Sequence, residues 1–345
     1  MDLSNFDPSG VGVDNGSYFG LPCTIDDSRV VLISAPWDVT VSYGVGCAFA
    51  PDAIIEASTQ LDLYDPSAPD AWREGIATAG IDYSIAELSQ SLRSDAQHII
   101  DHLEGGDEPN IFTLRRLKRV NDGSVRLNEN ILSQSRSLLE QGKLVGLVGG
   151  AHSTPYGLIK ALGERHDDFG ILHFDAHCDL REAYEGFEYS HASVMYNVLR
   201  DVESVSRIVE VGVRDFCDDE LKLATTSERV VMFSDFELSR RRFEGETWRS
   251  QCDNIVAQLP QKVYVSFDID VLDVAYCPHT GTPVPGGLNF NESVYLLERL
   301  VASGREVVGF DVVEVTPHPK RRVDAVVGAR VLYKLCGMTI LSNKR

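Results

Sequence analysis

From Lys143 onward, short runs rich in Val, Ile and Leu alternate with longer stretches in which apolar residues recur every three or four positions. The first kind suits strands buried on both faces and the second amphipathic helices, so their alternation predicts βα units repeated around a parallel sheet. Strands are expected at Val30 to Ile33, Leu144 to Val148, Ile171 to Asp175, Ile208 to Val213, Val230 to Phe233, Val263 to Asp270 and Val307 to Val313. A helix is expected over Leu127 to Gln141, where Leu127, Ile131, Leu138 and Leu139 share one side and Gly142 ends the run. Others are expected at Thr247 to Leu259, Glu292 to Ala302 and Asp324 to Leu335. The stretch from Tyr64 to Asn121 is more polar and is broken by Gly105-Gly106-Asp107-Glu108-Pro109, which reads as an excursion from the sheet, helical at Ile85 to Leu103. The organisation expected is one α/β domain over residues 1–345 with an N-terminal extension and an insertion at about 64–121.

Composition narrows the partners. A formal charge of -20, from 52 acidic against 32 basic residues, argues against nucleic acid or an anionic membrane and favours a small cationic ligand. The seven cysteines are scattered without a Cys-x-x-Cys pair, and no stretch of about 18 apolar residues or basic, apolar N-terminal leader is present. A cytoplasmic protein with reduced thiols is expected.

Three strand ends carry the chemistry. In His173-Phe174-Asp175-Ala176-His177-Cys178-Asp179, a continuing strand would put Asp175, His177 and Asp179 on one face. Val265-Ser266-Phe267-Asp268-Ile269-Asp270 ends a second strand in two carboxylates, and Gly149-Gly150-Ala151-His152-Ser153 follows a third. A lone Asp at such a place is usually a helix cap, and a lone His a turn residue. Carboxylates gathered in this way would repel unless neutralised, however, and Arg181 is the one basic residue adjoining either Asp-rich motif. Two His and four Asp at the carboxyl ends of parallel strands suit two adjacent divalent ions, such as nickel or manganese. Such a pair lowers the pKa of a shared water, which makes hydrolysis the reaction class.

Taken in order, Gly-Gly-x-His-Ser, Asp-Ala-His-x-Asp, Ser-Phe-Asp-x-Asp followed by Thr280-Gly281-Thr282-Pro283, and Asp311-Val312-Val313-Glu314 resemble the ureohydrolase superfamily of arginases, agmatinases and formimidoylglutamases over roughly residues 30–340. The resemblance implies a three-layer α/β/α fold with a mainly parallel sheet of about eight strands. It also implies assembly as a homo-oligomer, a trimer or hexamer, or as a hetero-oligomer with a related subunit. Carried over by residue, one metal ion falls to His152, Asp175, Asp179 and Asp268, and the other to His177, Asp175, Asp268 and Asp270. Glu314 takes the place of the guanidinium-binding carboxylate, Asp179 hydrogen-bonds the nucleophile, and His191 is the proton shuttle. The products implied are urea, or a close analogue, and an amine. One departure is Ala151, where the family usually has Asp and where a hydrogen bond that orients a ligand is expected to be lost.

For the substrate, the loops Pro36 to Gly44 and Glu182 to Tyr189 differ from arginase versions and resemble an agmatinase-like branch that includes guanidine and biguanide (metformin-type) hydrolases. Trp37, Tyr184, Phe187 and Tyr189 are expected to close a compact pocket around a delocalised cation, with Thr282 on its wall. Arg181 points the other way, toward a substrate carboxylate of the kind formimidoylglutamase-like relatives bind. Agmatinase or formimidoylglutamase activity is thus an alternative, and a catalytically silent scaffold subunit is an alternative of another class.

Overall fold

The computed structural model describes residues 6–344. Eight strands form one sheet: β1 (Val30–Ala35), β2 (Ile76–Thr78), β3 (Leu144–Gly149), β4 (Phe169–Phe174), β5 (Val205–Val211), β6 (Val230–Phe233), β7 (Lys262–Asp268) and β8 (Glu306–Val313). Their order across the sheet is β2-β1-β3-β8-β7-β4-β5-β6, with every neighbouring pair parallel. The Val, Ile and Leu runs that predicted the sheet are buried along almost their whole length, as strands covered on both faces must be, except at the edge strand β6, where only Val230 is buried.

Two helical layers provide that cover. On one face lie α1 (Ala50–Ser58), α7 (Asp235–Phe243), α8 (Trp248–Ala257), α9 (Phe290–Ala302) and α10 (Val323–Ser342), packing Ile54, Leu238, Ile255, Leu296 and Leu332 into one core. On the other lie α2 (Tyr83–Glu104), α3 (Ile111–Glu140), α4 (Tyr156–Arg165), α5 (Val194–Asp201) and α6 (Asp218–Thr226), whose core residues include Ile99, Ile131, Leu158 and Val198. Against the expectation that no membrane-length apolar stretch is present, the α10 helix is long and apolar enough to cross a membrane, but most of it is buried within the protein, the setting of a core helix.

The architecture agrees with the three-layer expectation, with two differences inside the polar stretch. Ile76–Thr78 belongs to the sheet, pairing with Val30, Val31 and Leu32 as an edge strand too short to show alternation. The helix expected from Leu127 begins at Ile111, where the Asn110 side chain accepts from the amides of Phe112 and Thr113. Its first turns expose Arg115, Lys118 and Arg119, which hide the apolar period there.

Candidate metal centre

Strands β3, β8, β7 and β4 lie side by side, so the loops leaving their carboxyl ends meet at the middle of the sheet edge. After β3, Gly150 passes so close to Trp37 that a Cβ would stand 2.1 Å from the Trp37 carbonyl oxygen, which is why a glycine is needed there. Two residues on, the buried His152 has its Nδ1 2.8 Å from Asp175 Oδ2, 3.0 Å from Asp179 Oδ2 and 3.2 Å from Asp268 Oδ2. His177 Nδ1 lies 3.3 Å from Asp175 Oδ1 and 3.1 Å from Asp270 Oδ2. Asp175 thus turns one oxygen to each histidine, and all six residues singled out as ligands come together.

They converge by a different route from strand alternation. Strand β4 stops at Phe174, and the chain then turns, with Asp179 at φ 53°. An extended strand would have held Asp175 and Asp179 about 13 Å apart, too far to share one nitrogen. Likewise Asp270 sits on a single 3-10 turn, Ile269–Val271, and its amide donates to Asp268 Oδ1 at 2.8 Å. The amides of Ala176 and His177 donate to Asp270 Oδ1 (2.9 Å) and Asp175 Oδ1 (2.6 Å), fixing both carboxylates.

A supporting layer went unread in the sequence. Ser266 donates its hydroxyl to Asp311 Oδ2 (2.8 Å) and sits 2.9 Å from His152 Nε2, so its oxygen is free to accept the His152 Nε2–H. With Nε2–H given to Ser266, Nδ1 is the atom that faces the carboxylates, and once it gives up its proton it carries the lone pair a metal ligand needs. Tyr264 OH and the Phe267 amide hold Asp311 in turn (2.7 and 3.2 Å). His173 is buried with Nε2 2.9 Å from Asp175 Oδ2, and it joins His152, Asp175 and Asp179 in a group able to hold an ion, while Asp175, His177 and Asp270 form another. His173 stands two residues before Asp175, a spacing the sequence did carry, with Asp175 just past the end of β4. Ala151 is fully buried in a small apolar cluster with Val41 and Cys47. The orientation of His152 therefore comes from Ser266 and Asp311 rather than from residue 151.

The electrostatics of the cluster call for cations. Burial opposes charge on Asp175, yet His152, His173 and His177 hold it well below the ordinary carboxylate range. Burial and then the neighbouring Asp270 and Asp175 push Asp268 well up, and burial with Asp175 lifts Asp179 to about 6. Against its own burial, His177 is raised to about 12 by Asp270 and Asp175. Divalent ions would neutralise these carboxylates through the same donors, and His152 Nδ1 and Asp179 Oδ2, buried and 3.0 Å apart, make no well-formed hydrogen bond to each other or to any other group. Mixed imidazole and carboxylate donors in two groups sharing Asp175 fit a pair of divalent ions.

A cavity of about 160 Å³ opens over the cluster. His177, Asp179, Arg181, Tyr184, His191 and Thr282 line it, as do Ser42, from the Pro36 to Gly44 loop, and Asp215 and Glu220, which no motif marks. Tyr184 is carried by a tight turn in which Glu185 and Gly186 both have positive φ (52° and 81°). Its ring stands edge-on to His191, with centroids 6.1 Å apart. Burial, and then His177, push the His191 imidazole down to about 4. Arg181 lies with its guanidinium carbon 5.0 Å from the centre of the Tyr184 ring and its Nε 3.5 Å from Glu220. Glu314 follows β8 at φ 59°, buried beside the cluster rather than on the cavity wall. Its Oε1 accepts from the His152 amide at 2.8 Å, and burial raises it to about 8.

The expected aromatic enclosure needs correction. Trp37 and Phe187 are fully buried in the core, and the Tyr189 ring packs on Tyr156 at 5.3 Å, so of the four aromatics only Tyr184 reaches the cavity. Trp37 is a packing residue because its ring lies against α3, near the position of Gly123.

Residues 28–337 match the Arginase family, and the chain belongs to it. This is a family of amidinohydrolases acting on carbon–nitrogen bonds of linear amidines. The chain is 31% identical to the N(1)-aminopropylagmatine ureohydrolase of Thermus thermophilus over 313 residues, 91% of each chain. It is 27% identical to the agmatinase of Pyrococcus horikoshii, over 91% of this chain and 93% of that one. Its fold is like that of proclavaminate amidino hydrolase from Streptomyces clavuligerus, with a TM-score of 0.74 at 24% identity over 97% and 100% of the two chains.

Proposed function

We propose that the protein is a dinuclear-metal ureohydrolase that releases urea from a small cationic guanidine lacking a carboxylate, with an agmatine-type aminoalkylguanidine as the first candidate. The observation that carries this is the charge of the cavity wall. Asp215 and Glu220 face it, and Arg181 already lies against Glu220 and the Tyr184 ring. An ammonium end is favoured there, and an anionic end would have to displace Arg181 from Glu220. The names of the relatives, N(1)-aminopropylagmatine ureohydrolase and agmatinase, support the same class. A compact guanidine or biguanide is a second reading, favoured by the Tyr184 ring on a cavity of only about 160 Å³.

In this reading His152, Asp175, Asp179 and Asp268 hold one ion, and His177, Asp175, Asp268 and Asp270 the other, as nickel or manganese. Bound there, the ions would supply a water activated near neutral pH. Asp179 orients the nucleophile by hydrogen bonding. Glu314 is assigned the planar guanidinium: its carboxylate lies just behind the cavity wall with Oε1 accepting from the His152 amide, so the cation would meet the lone pairs that remain. His191 is neutral at pH 7, so it can take a proton and pass it to the departing nitrogen. Assembly as a homo-oligomer belongs to the same reading, supported by exposed Tyr43, Phe49 and Phe112, and light scattering that finds a monomer would remove it.

The test compares kcat/KM for urea release from agmatine, N(1)-aminopropylagmatine, guanidine, dimethylbiguanide, arginine and formimidoylglutamate, with manganese and with nickel. Preference for a carboxylate-free guanidine is expected. Clear preference for arginine or formimidoylglutamate, or no turnover of any of them, would defeat the proposal.

A further inference from the structure

Two of the cavity walls are held from outside the sheet by the same pair of helices. The loop after β1 supplies Ser42 to the cavity, and its Gly44 amide donates to the Gly281 carbonyl (3.1 Å), next to Thr282. From α2, Arg93 Nη1 donates to the carbonyls of Val39 (2.7 Å) and Val41 (2.6 Å), while Nη2 donates to Gln97 one turn on. The Asp38 amide donates to Ser89 Oγ of the same helix at 3.3 Å. Between the two carbonyls that Arg93 holds lies Thr40, itself fully buried.

The Tyr184 turn is held from α3. Asn121 donates from Nδ2 to the Gly186 carbonyl and accepts the Glu188 amide on Oδ1, both at 3.2 Å, so a single side chain pairs with the turn as a neighbouring strand would. Leu117 closes the contact: a Cβ on Gly186 would come within 2.8 Å of its Cδ2. The turn needs such support, because Glu185 is a non-glycine residue at φ 52°.

We propose that the α2–α3 helix pair sets the substrate selectivity of the cavity, with Arg93 and Asn121 as positioning residues for the Ser42 and Tyr184 walls; this rests on the cavity being the guanidine site proposed above. Neither side chain lines the cavity, so each acts by fixing a wall. The walls are tied to backbone atoms, and loosening them changes which substrate length is held in place while leaving the carboxylate cluster intact.

The experiment uses the metal-loaded full chain with Asn121→Ala, Asn121→Asp, Arg93→Met and Arg93→Lys. Asn121→Asp keeps the acceptor for the Glu188 amide and serves as the conservative partner of Asn121→Ala. Three quantities are read: metal per chain, KM and kcat on guanidine and agmatine, and amide hydrogen exchange over residues 38–46 and 182–190. Loss of one such hydrogen-bonded pair is expected to raise KM about tenfold in Asn121→Ala, with kcat nearly unchanged and metal content kept. The guanidine-to-agmatine efficiency ratio should shift as well, and Asn121→Asp should restore part of both effects. Exchange should rise at 182–190 in Asn121→Ala and at 38–46 in Arg93→Met. Unchanged exchange in both segments overturns the proposal, as does an equal fall on every substrate accompanied by metal loss. If wild type hydrolyses no guanidine, the functional reading fails, and the exchange data still decide whether the helix pair holds these walls.

Discussion

Chelating the metal ions should lower the melting temperature by about 7 °C near pH 8, and by less near pH 5. Ions at about a hundredfold excess over their dissociation constants stabilise by about 2.7 kcal/mol per site, or about 5 kcal/mol for two. Unfolding entropy of about 2.1 cal/mol/K per residue amounts to about 0.7 kcal/mol per kelvin for 345 residues, which converts that loss to about 7 °C. The pH dependence comes from the cluster. In the metal-free protein Asp179 and Glu314 are raised from ordinary values of 3.8 and 4.5 to about 6 and about 8. A raised folded-state pKa gives stability that is complete below the ordinary value and lost as pH rises through the folded one. His177, raised from 6.5 to about 12, acts in the same sense over a higher window. The stripped protein therefore weakens as pH climbs, while ions, which need deprotonated ligands, bind more tightly. Calorimetry with and without chelator at the two pH values reads the difference. No change on chelation, or a gap that narrows as pH rises, would refute the reasoning.

Asp268→Ala should abolish turnover and reduce bound metal, whereas His191→Ala should keep the metal and slow turnover by about 10²- to 10⁴-fold; mild, equal losses in steady-state assays would contradict the roles given. Glu314→Gln should raise KM for a cationic guanidine by about ten- to a hundredfold while metal content holds. Metal binding should release protons held on His152 and His177, measurable as buffer-dependent heat in titration calorimetry, and a buffer-independent heat would count against the protonated apo cluster.

Much of this was legible in the chain because strands buried on both faces and clustered His and Asp are both statements about residue type. The sheet centre follows from runs such as Val263 to Asp268, and the ligands from the Asp175 and Asp268 motifs. What escaped depends on placement. Ser266 and Asp311 gain meaning only because β7 and β8 pair Ser266 with Asp311. The aromatic residues of the Glu182 to Tyr189 loop look alike in sequence, and only the positive-φ turn at Glu185 and Gly186 decides that Tyr184 faces the cavity while Phe187 enters the core. Arg93 and Asn121 sit in a polar stretch with no motif, and their role comes from backbone groups that fold against them from far along the chain.

Stepwise reloading of the metal-free protein, with urea release followed at each addition, tests the central claim most directly. The account predicts that turnover of a carboxylate-free guanidine appears as the second ion binds and saturates at two ions per chain. Saturation at one ion, or two bound ions without urea release from any guanidine, would contradict it.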